Sequence, residues 1–87
     1  MYRVEIARNA RRRLLRLPAT VRARIAEVIG LLGANPRSPA LDIRPLVNDP
    51  EAQYRLRVGS YRVKFNKDDS SQLIRVVRIG HRKEIYR

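Results

Sequence analysis

The first part of the chain alternates between apolar and polar residues and then changes to a helical period. Apolar and polar side chains alternate from Tyr2 to Ile6, which predicts a strand. Asn9 suits the N-cap of a short helix that follows. Apolar residues recur at Ala10, Leu14 and Leu17, a spacing that predicts the buried stripe of this helix.

A second helix is predicted to follow Pro18, which ends the first helix and suits the first position of the next. Its apolar stripe consists of Val21, Ile25, Val28, Ile29 and Leu32. The sequence Gly-Ala-Asn-Pro at residues 33–36 is a typical helix end. The loop over residues 35–50 carries four prolines and has room for a short edge strand around residues 43–46.

The second half of the chain is predicted to consist of strands. Gln53–Val58 and Tyr61–Phe65 flank the pair Gly59-Ser60, a two-residue turn with glycine first, as a type II′ hairpin prefers. A polar loop leads to a last strand, Gln72–Ile79. The predicted order is β-α-α-β-β-β. This is an α+β fold in which the helices cover one face of an antiparallel sheet of three to four strands.

The charge of the chain narrows its possible partners. Lysine and arginine number 20 against 8 acidic residues, giving a net charge of +12, and 17 of the 20 cations are arginine. The planar arginine fork matches phosphate oxygens, so we expect a polyanionic partner, with nucleic acid first.

Composition also excludes several classes of site. There is no cysteine and only one histidine, so we expect no disulfide, no bound metal and no cofactor. No apolar run reaches the length of a membrane span, and we expect no signal peptide before the first strand. We therefore expect a cytoplasmic protein, without a membrane partner, that forms a single domain over residues 1–87.

Alternation along the predicted strands separates an apolar from a basic sheet face. In the last strand, Val77 and Ile79 are predicted to point into the core. The opposite face is predicted to present Arg55, Arg57, Arg62, Lys64 and Arg78, with Arg82 at the same parity beyond the strand. Neighbouring like charges repel, so we expect an anion to bind this face. The alternative is a solvated face whose long side chains splay apart.

The last nine residues carry further candidate chemistry. Gly80 ends the predicted strand, and His81, Arg82 and Tyr86 follow within six residues. An imidazole that titrates near neutrality, a permanent cation and a phenol suit reactions at a phosphodiester. They also suit a basic tail without a catalytic role.

Two segments, Tyr54–Val63 and Ile79–Tyr86, resemble the RelE-type toxins of bacterial and archaeal toxin–antitoxin systems. The opening strand, the helical hairpin and the Leu17-Pro18 junction fit the wider RelE/ParE superfamily. The resemblance implies a toxin that enters the ribosomal A site and cleaves mRNA there without a metal. It also implies a RelB-like antitoxin as partner, together with the ribosome, its rRNA and mRNA.

The resemblance further implies a set of site residues: Arg55, Arg57, Arg62, Arg82 and Tyr86. By hypothesis, Arg62 and Arg82 stabilise the phosphorane, Arg55 and Arg57 hold flanking phosphates and rRNA, and Tyr86 stacks on or orients a base. Arg55 and Arg57 stand where the founding pattern has lysine. A lysine can lower its pKa and act as a base, whereas an arginine is always protonated. His81 is a secondary candidate for acid–base work.

Further RNA contacts are predicted at Lys64, Arg78, Lys83, Arg11 and Arg12, the last two as secondary electrostatic contacts. Two other functions compete with mRNA cleavage. The same fold could serve a ParE-like inhibitor of DNA gyrase, or the chain could be a non-catalytic RNA-binding module.

Overall fold

The computed structural model describes residues 1–85. In chain order its elements are β1 (Arg3–Ile6), α1 (Arg8–Leu15), α2 (Ala19–Ala34), β2 (Asp42–Pro45), β3 (Tyr54–Val58), β4 (Tyr61–Asp68), β5 (Leu73–His81) and α3 (Arg82–Ile85). The predicted α+β order is confirmed, and β2 is the short edge strand expected in the proline-rich loop. The one-turn helix α3 was not predicted. None of the helices between residues 1 and 85 is long and apolar enough to span a membrane.

The five strands form one sheet in the order β1-β5-β4-β3-β2. The β2–β3, β3–β4 and β4–β5 pairs are antiparallel, as expected, whereas β1 joins β5 as a parallel neighbour. β1 pairs only with residues 73–76, so α1 lies along the remaining edge of β5. The N-terminal strand and first helix are thereby fixed beside the C-terminal strand.

The core lies between the two longer helices and one face of the sheet. Both predicted helical stripes are buried, except that Val21 is only partly buried. From the sheet, the main buried residues are Leu56, Val58, Val63, Phe65, Ile74, Val76 and Ile79. Removal of this apolar surface from water is the main favourable contribution to folding.

Two predictions about helix starts were wrong. Asn9 is not an N-cap: Ala7 holds that position, and the Asn9 side-chain amide donates to the carbonyl of Val77 at 3.2 Å. This contact satisfies an acceptor on the part of β5 that β1 leaves unpaired. Pro18 is the N-cap of α2 rather than its first residue.

The hairpin between β3 and β4 has the predicted turn. Gly59 has φ of +59°, whereas Ser60 is not among the described residues with positive φ. A positive φ at the first turn position alone is the type II′ pattern. Glycine adopts this conformation without the steric cost of a Cβ atom.

A β-bulge in β5 overturns the prediction that Val77 lies in the core. Lys64 pairs with Arg78, but the next residue, Phe65, pairs with Val76, which leaves Val77 as the extra residue. The bulge shifts the alternation by one position. Val76 is therefore fully buried, whereas Val77 is only partly buried.

Candidate nucleic-acid interface

The sheet register gathers the predicted cations of the strands on the face opposite α1 and α2. One row across three strands contains Arg55, Lys64 and Arg78, and the next row that points to the same face contains Arg57, Arg62 and Gly80. Partners in a row share a face. We call the surface formed by Arg55, Arg57, Arg62, Lys64 and Arg78 the basic face.

Arg62 lies on β4, the middle strand of the basic face, at the end nearest the hairpin turn, and is only 9% exposed. Its Nη1 donates hydrogen bonds to the carbonyl oxygens of Gly59 and Tyr61, both at 3.0 Å. The hairpin turn therefore fixes the orientation of this guanidinium group. Arg57, its partner on β3, is exposed.

Acidic residues from the loop before β3 partly neutralise the basic face. Lys64 is 6% exposed, and its Nζ lies 2.6 Å from Oδ2 of Asp49 and 3.3 Å from Oε1 of Glu51. Glu51 also forms an ion pair with Arg78, and Asp42 on β2 lies 3.3 Å from Arg55. Lys64 is thus a buried structural cation, a role that the strand pattern alone did not indicate.

These contacts shift the pKa values of the groups involved. The hydrogen bond from Lys64 lowers the pKa of Asp49, and the hydrogen bond from Arg78 lowers the pKa of Glu51. Burial alone would lower the pKa of Lys64, but its hydrogen bonds to the two carboxylates outweigh burial and raise it. All these groups are therefore charged at neutral pH.

The helix α3 begins beside the hairpin turn and folds back over the end of β5. The backbone N–H of Arg82 donates to the carbonyl of Ser60 at 2.9 Å. Ile85 packs on Gly80 so closely that a Cβ atom at Gly80 would lie 3.2 Å from its Cγ1. Gly80 therefore allows this close approach without a shift of Ile85, and strand β5 continues through it to His81. Arg82 itself is exposed.

A groove of about 450 Å³ lies between α1, α3 and the edge of the basic face. Its charged lining residues are Arg12, Arg13, Arg16, Glu51, Arg78 and Glu84. The structure therefore brings Arg12 to the same site as Arg78, whereas Arg11 is exposed outside the groove lining. Arg13 and Arg16 were missed as site residues, although the position of Arg16, four residues after Arg12 on the helix, could have indicated it.

His81 is not brought to the basic face. It is the cross-strand partner of Tyr61, in the row next to Arg62 and Gly80, and so points to the opposite side of the sheet. Its ring meets that of Tyr61 edge to face at 5.5 Å, and its Nδ1 accepts a hydrogen bond from the N–H of Lys83. Lys83 is exposed on α3, and Tyr86 lies outside the described residues.

Comparison with known proteins identifies the class to which this fold and basic face belong. A family model described as the ParE toxin of the type II toxin–antitoxin system parDE matches residues 4–86. The chain therefore belongs to this family of toxins from type II toxin–antitoxin systems.

Individual relatives narrow the assignment. Toxin RelG of Mycobacterium tuberculosis (strain ATCC 25618 / H37Rv) is 31% identical over 86 residues, which cover 99% of this chain and 97% of the relative. The toxin–antitoxin complex RelBE2 from Mycobacterium tuberculosis matches with a TM-score of 0.78 and 28% identity, covering 92% of this chain and 96% of that one. The archaeal RelE–RelB complex from Pyrococcus horikoshii OT3 also has a TM-score of 0.78, with 26% identity and coverage of 93% and 94%. The resemblance to RelE-type toxins is thus confirmed.

Proposed function

We propose that this toxin is a ribosome-dependent endoribonuclease that cleaves mRNA in the A site. The observation that carries the proposal is the fixed guanidinium group of Arg62 on the middle strand of the basic face, with Arg57 beside it and Arg82 starting at the same turn. Attack by a 2′-OH on the neighbouring phosphorus builds negative charge on a pentacoordinate phosphorane. A cation already held in place stabilises that charge without reorganisation.

Each cation of the site has a proposed role. Arg62 and Arg82 stabilise the phosphorane, while Arg55 and Arg57 bind flanking phosphates and rRNA. Tyr86 stacks on or orients a base of the mRNA. We leave His81 out of the reacting set, because the sheet register directs it away from Arg62.

Dependence on the ribosome follows from what the domain can supply by itself. The net charge of +12 steers the toxin into a site lined by rRNA. Arginine is always protonated and does not act as a base at neutral pH. The ribosome would hold the mRNA in the geometry for attack by its own 2′-OH, so orientation supplies much of the rate enhancement.

We further propose that a RelB-like antitoxin controls the toxin. The solved relatives from Mycobacterium tuberculosis and Pyrococcus horikoshii are complexes of a toxin with its antitoxin. An acidic segment of such a partner would complement the basic face and exclude RNA from it.

Inducing the chain in a bacterial host and mapping mRNA 5′ ends tests the proposed function. We expect new ends at a constant codon phase, and only in translated regions. DNA damage with intact mRNA would instead support the ParE-like inhibition of DNA gyrase. This alternative is tested because the matching family model is described as the ParE toxin. If the protein binds RNA but causes neither cleavage nor DNA damage, the result would support a non-catalytic RNA-binding module.

A further inference from the structure

The helix α3 is tied to α1 by one ion pair between residues 71 positions apart. Nη2 of Arg13 donates to both carboxylate oxygens of Glu84, at 2.6 and 2.8 Å. The side chains are 34% and 53% exposed, so the pair lies at the protein surface. A four-residue helix is not stable in isolation, and contacts with the rest of the protein must hold it.

We propose that Arg13 and Glu84 form a latch that holds α3, and with it Arg82, against the basic face. They would act as positioning residues for the cleavage proposed above, on which this inference rests. Without the latch, three contacts still hold α3 among residues 1–85: the packing of Ile85 on Gly80, the hydrogen bond from the N–H of Arg82 to Ser60, and that from the N–H of Lys83 to Nδ1 of His81.

The charge distribution explains why a single carboxylate has this effect. Glu84 is the only acidic residue after Asp69, whereas α3 also carries Arg82 and Lys83. Glu84 lines the groove together with Arg12, Arg13, Arg16 and Arg78, and like charges gathered in one groove repel. The ion pair with Arg13 offsets this repulsion at the point where α3 meets α1.

Amide hydrogen exchange of residues 80–85 tests the latch independently of any catalytic activity. We expect Arg13→Ala and Glu84→Ala each to speed exchange in this segment by a factor of about 1.4 to 5, the range that corresponds to loss of an exposed ion pair. The swapped variant Arg13→Glu/Glu84→Arg is expected to restore slow exchange. Exchange in β3 and β4 should be unchanged.

The two single variants also separate positioning from overall charge. Arg13→Ala lowers the net charge by one and Glu84→Ala raises it by one, so an effect of long-range electrostatics on cleavage would have opposite signs. Loss of the latch should instead lower kcat in both variants, by at most the factor by which amide exchange of residues 80–85 becomes faster. The swapped variant should have a kcat close to that of the wild type. Ribosome-programmed cleavage under saturating conditions measures this.

A comparable ion pair elsewhere gives the matched control. Arg24 and Glu27 on α2 lie 2.7 Å apart and are 64% and 63% exposed. Arg24→Ala and Glu27→Ala should leave exchange at residues 80–85 unchanged.

Three results would overturn parts of the proposal. Wild-type exchange in Glu84→Ala would refute the latch. Faster exchange with unchanged kcat would refute its positioning role. If the wild-type toxin itself cleaves nothing, the proposed function and the positioning role both fail, while the exchange rates still decide whether the latch exists.

Discussion

Replacing Asp49 with asparagine is expected to destabilise the fold by about 2 kcal/mol, because Lys64 would stay buried with half of its counter-charge. The Lys64 side chain is 7% exposed and lies 2.6 Å from Asp49, which is 16% exposed. An exposed ion pair contributes about 0.2–1 kcal/mol, whereas breaking a buried one costs about 3–5 kcal/mol. Glu51 remains 3.3 Å from Lys64, so the expected loss lies between these ranges.

Equilibrium unfolding in urea, followed by circular dichroism, measures this loss. For a domain of this size, about 2 kcal/mol corresponds to a fall of roughly 8–16 °C in Tm. The control is Asp42→Asn, which removes the 48% exposed partner of Arg55 and should cost less than about 1 kcal/mol.

A double variant distinguishes a stranded charge from a lost contact. Lys64→Met/Asp49→Asn removes both charges and should be more stable than Asp49→Asn alone, because no ammonium that has lost part of its counter-charge is left buried in the sheet. Equal stability of Asp49→Asn and Asp42→Asn would refute the reasoning. The reasoning would also be refuted if the double variant lost as much unfolding free energy as Lys64→Met and Asp49→Asn lose together when each is measured alone.

Three further predictions concern acid stability, the C-terminal helix and the hairpin turn. Hydrogen bonds from cationic neighbours lower the pKa of Asp49 and Glu51 in the folded protein, so their contribution is present above the unfolded pKa of about 4 and is lost as pH falls further. The urea concentration at the unfolding midpoint should therefore fall as the pH is lowered below about 4, and it should fall less steeply in Asp49→Asn/Glu51→Gln. The same dependence of the midpoint on pH in both proteins would contradict this. Gly80→Val should displace Ile85 and speed amide exchange in α3, and unchanged exchange would refute the close packing. Gly59→Ala should cost about 1–2 kcal/mol in thermal unfolding, because φ there is +59°, and an unchanged Tm would contradict the turn assignment.

The sequence predicted those parts of the fold that local patterns determine. The helical stripes depend on a period of 3.6 residues, and the turn at Gly59-Ser60 depends on two residues, so both could be recognised along the chain. Alternation also predicted which face of the central hairpin would carry Arg55, Arg57 and Arg62.

Contacts between distant segments account for the predictions that failed or were missing. The bulge that turns Val77 out of the core arises in the pairing of β4 with β5, and period-two alternation does not reveal it. The burial of Lys64 depends on Asp49 and Glu51, which the loop before β3 brings across the sheet. The helix α3 is a single turn, and its contact with Arg13 joins opposite ends of the chain.

The most direct test of the proposed function compares two arginine variants in a ribosome-programmed mRNA cleavage reaction. Arg62→Ala removes the fixed cation on the middle strand of the basic face, and Arg75→Ala removes an exposed cation on β5 that lies 3.5 Å from Glu5. With folding verified by circular dichroism, we expect Arg62→Ala to lower the single-turnover rate about 100- to 1000-fold, as loss of a transition-state charge partner does. Arg75→Ala should cleave at nearly the wild-type rate. Full cleavage by a folded Arg62→Ala variant would contradict the central claim.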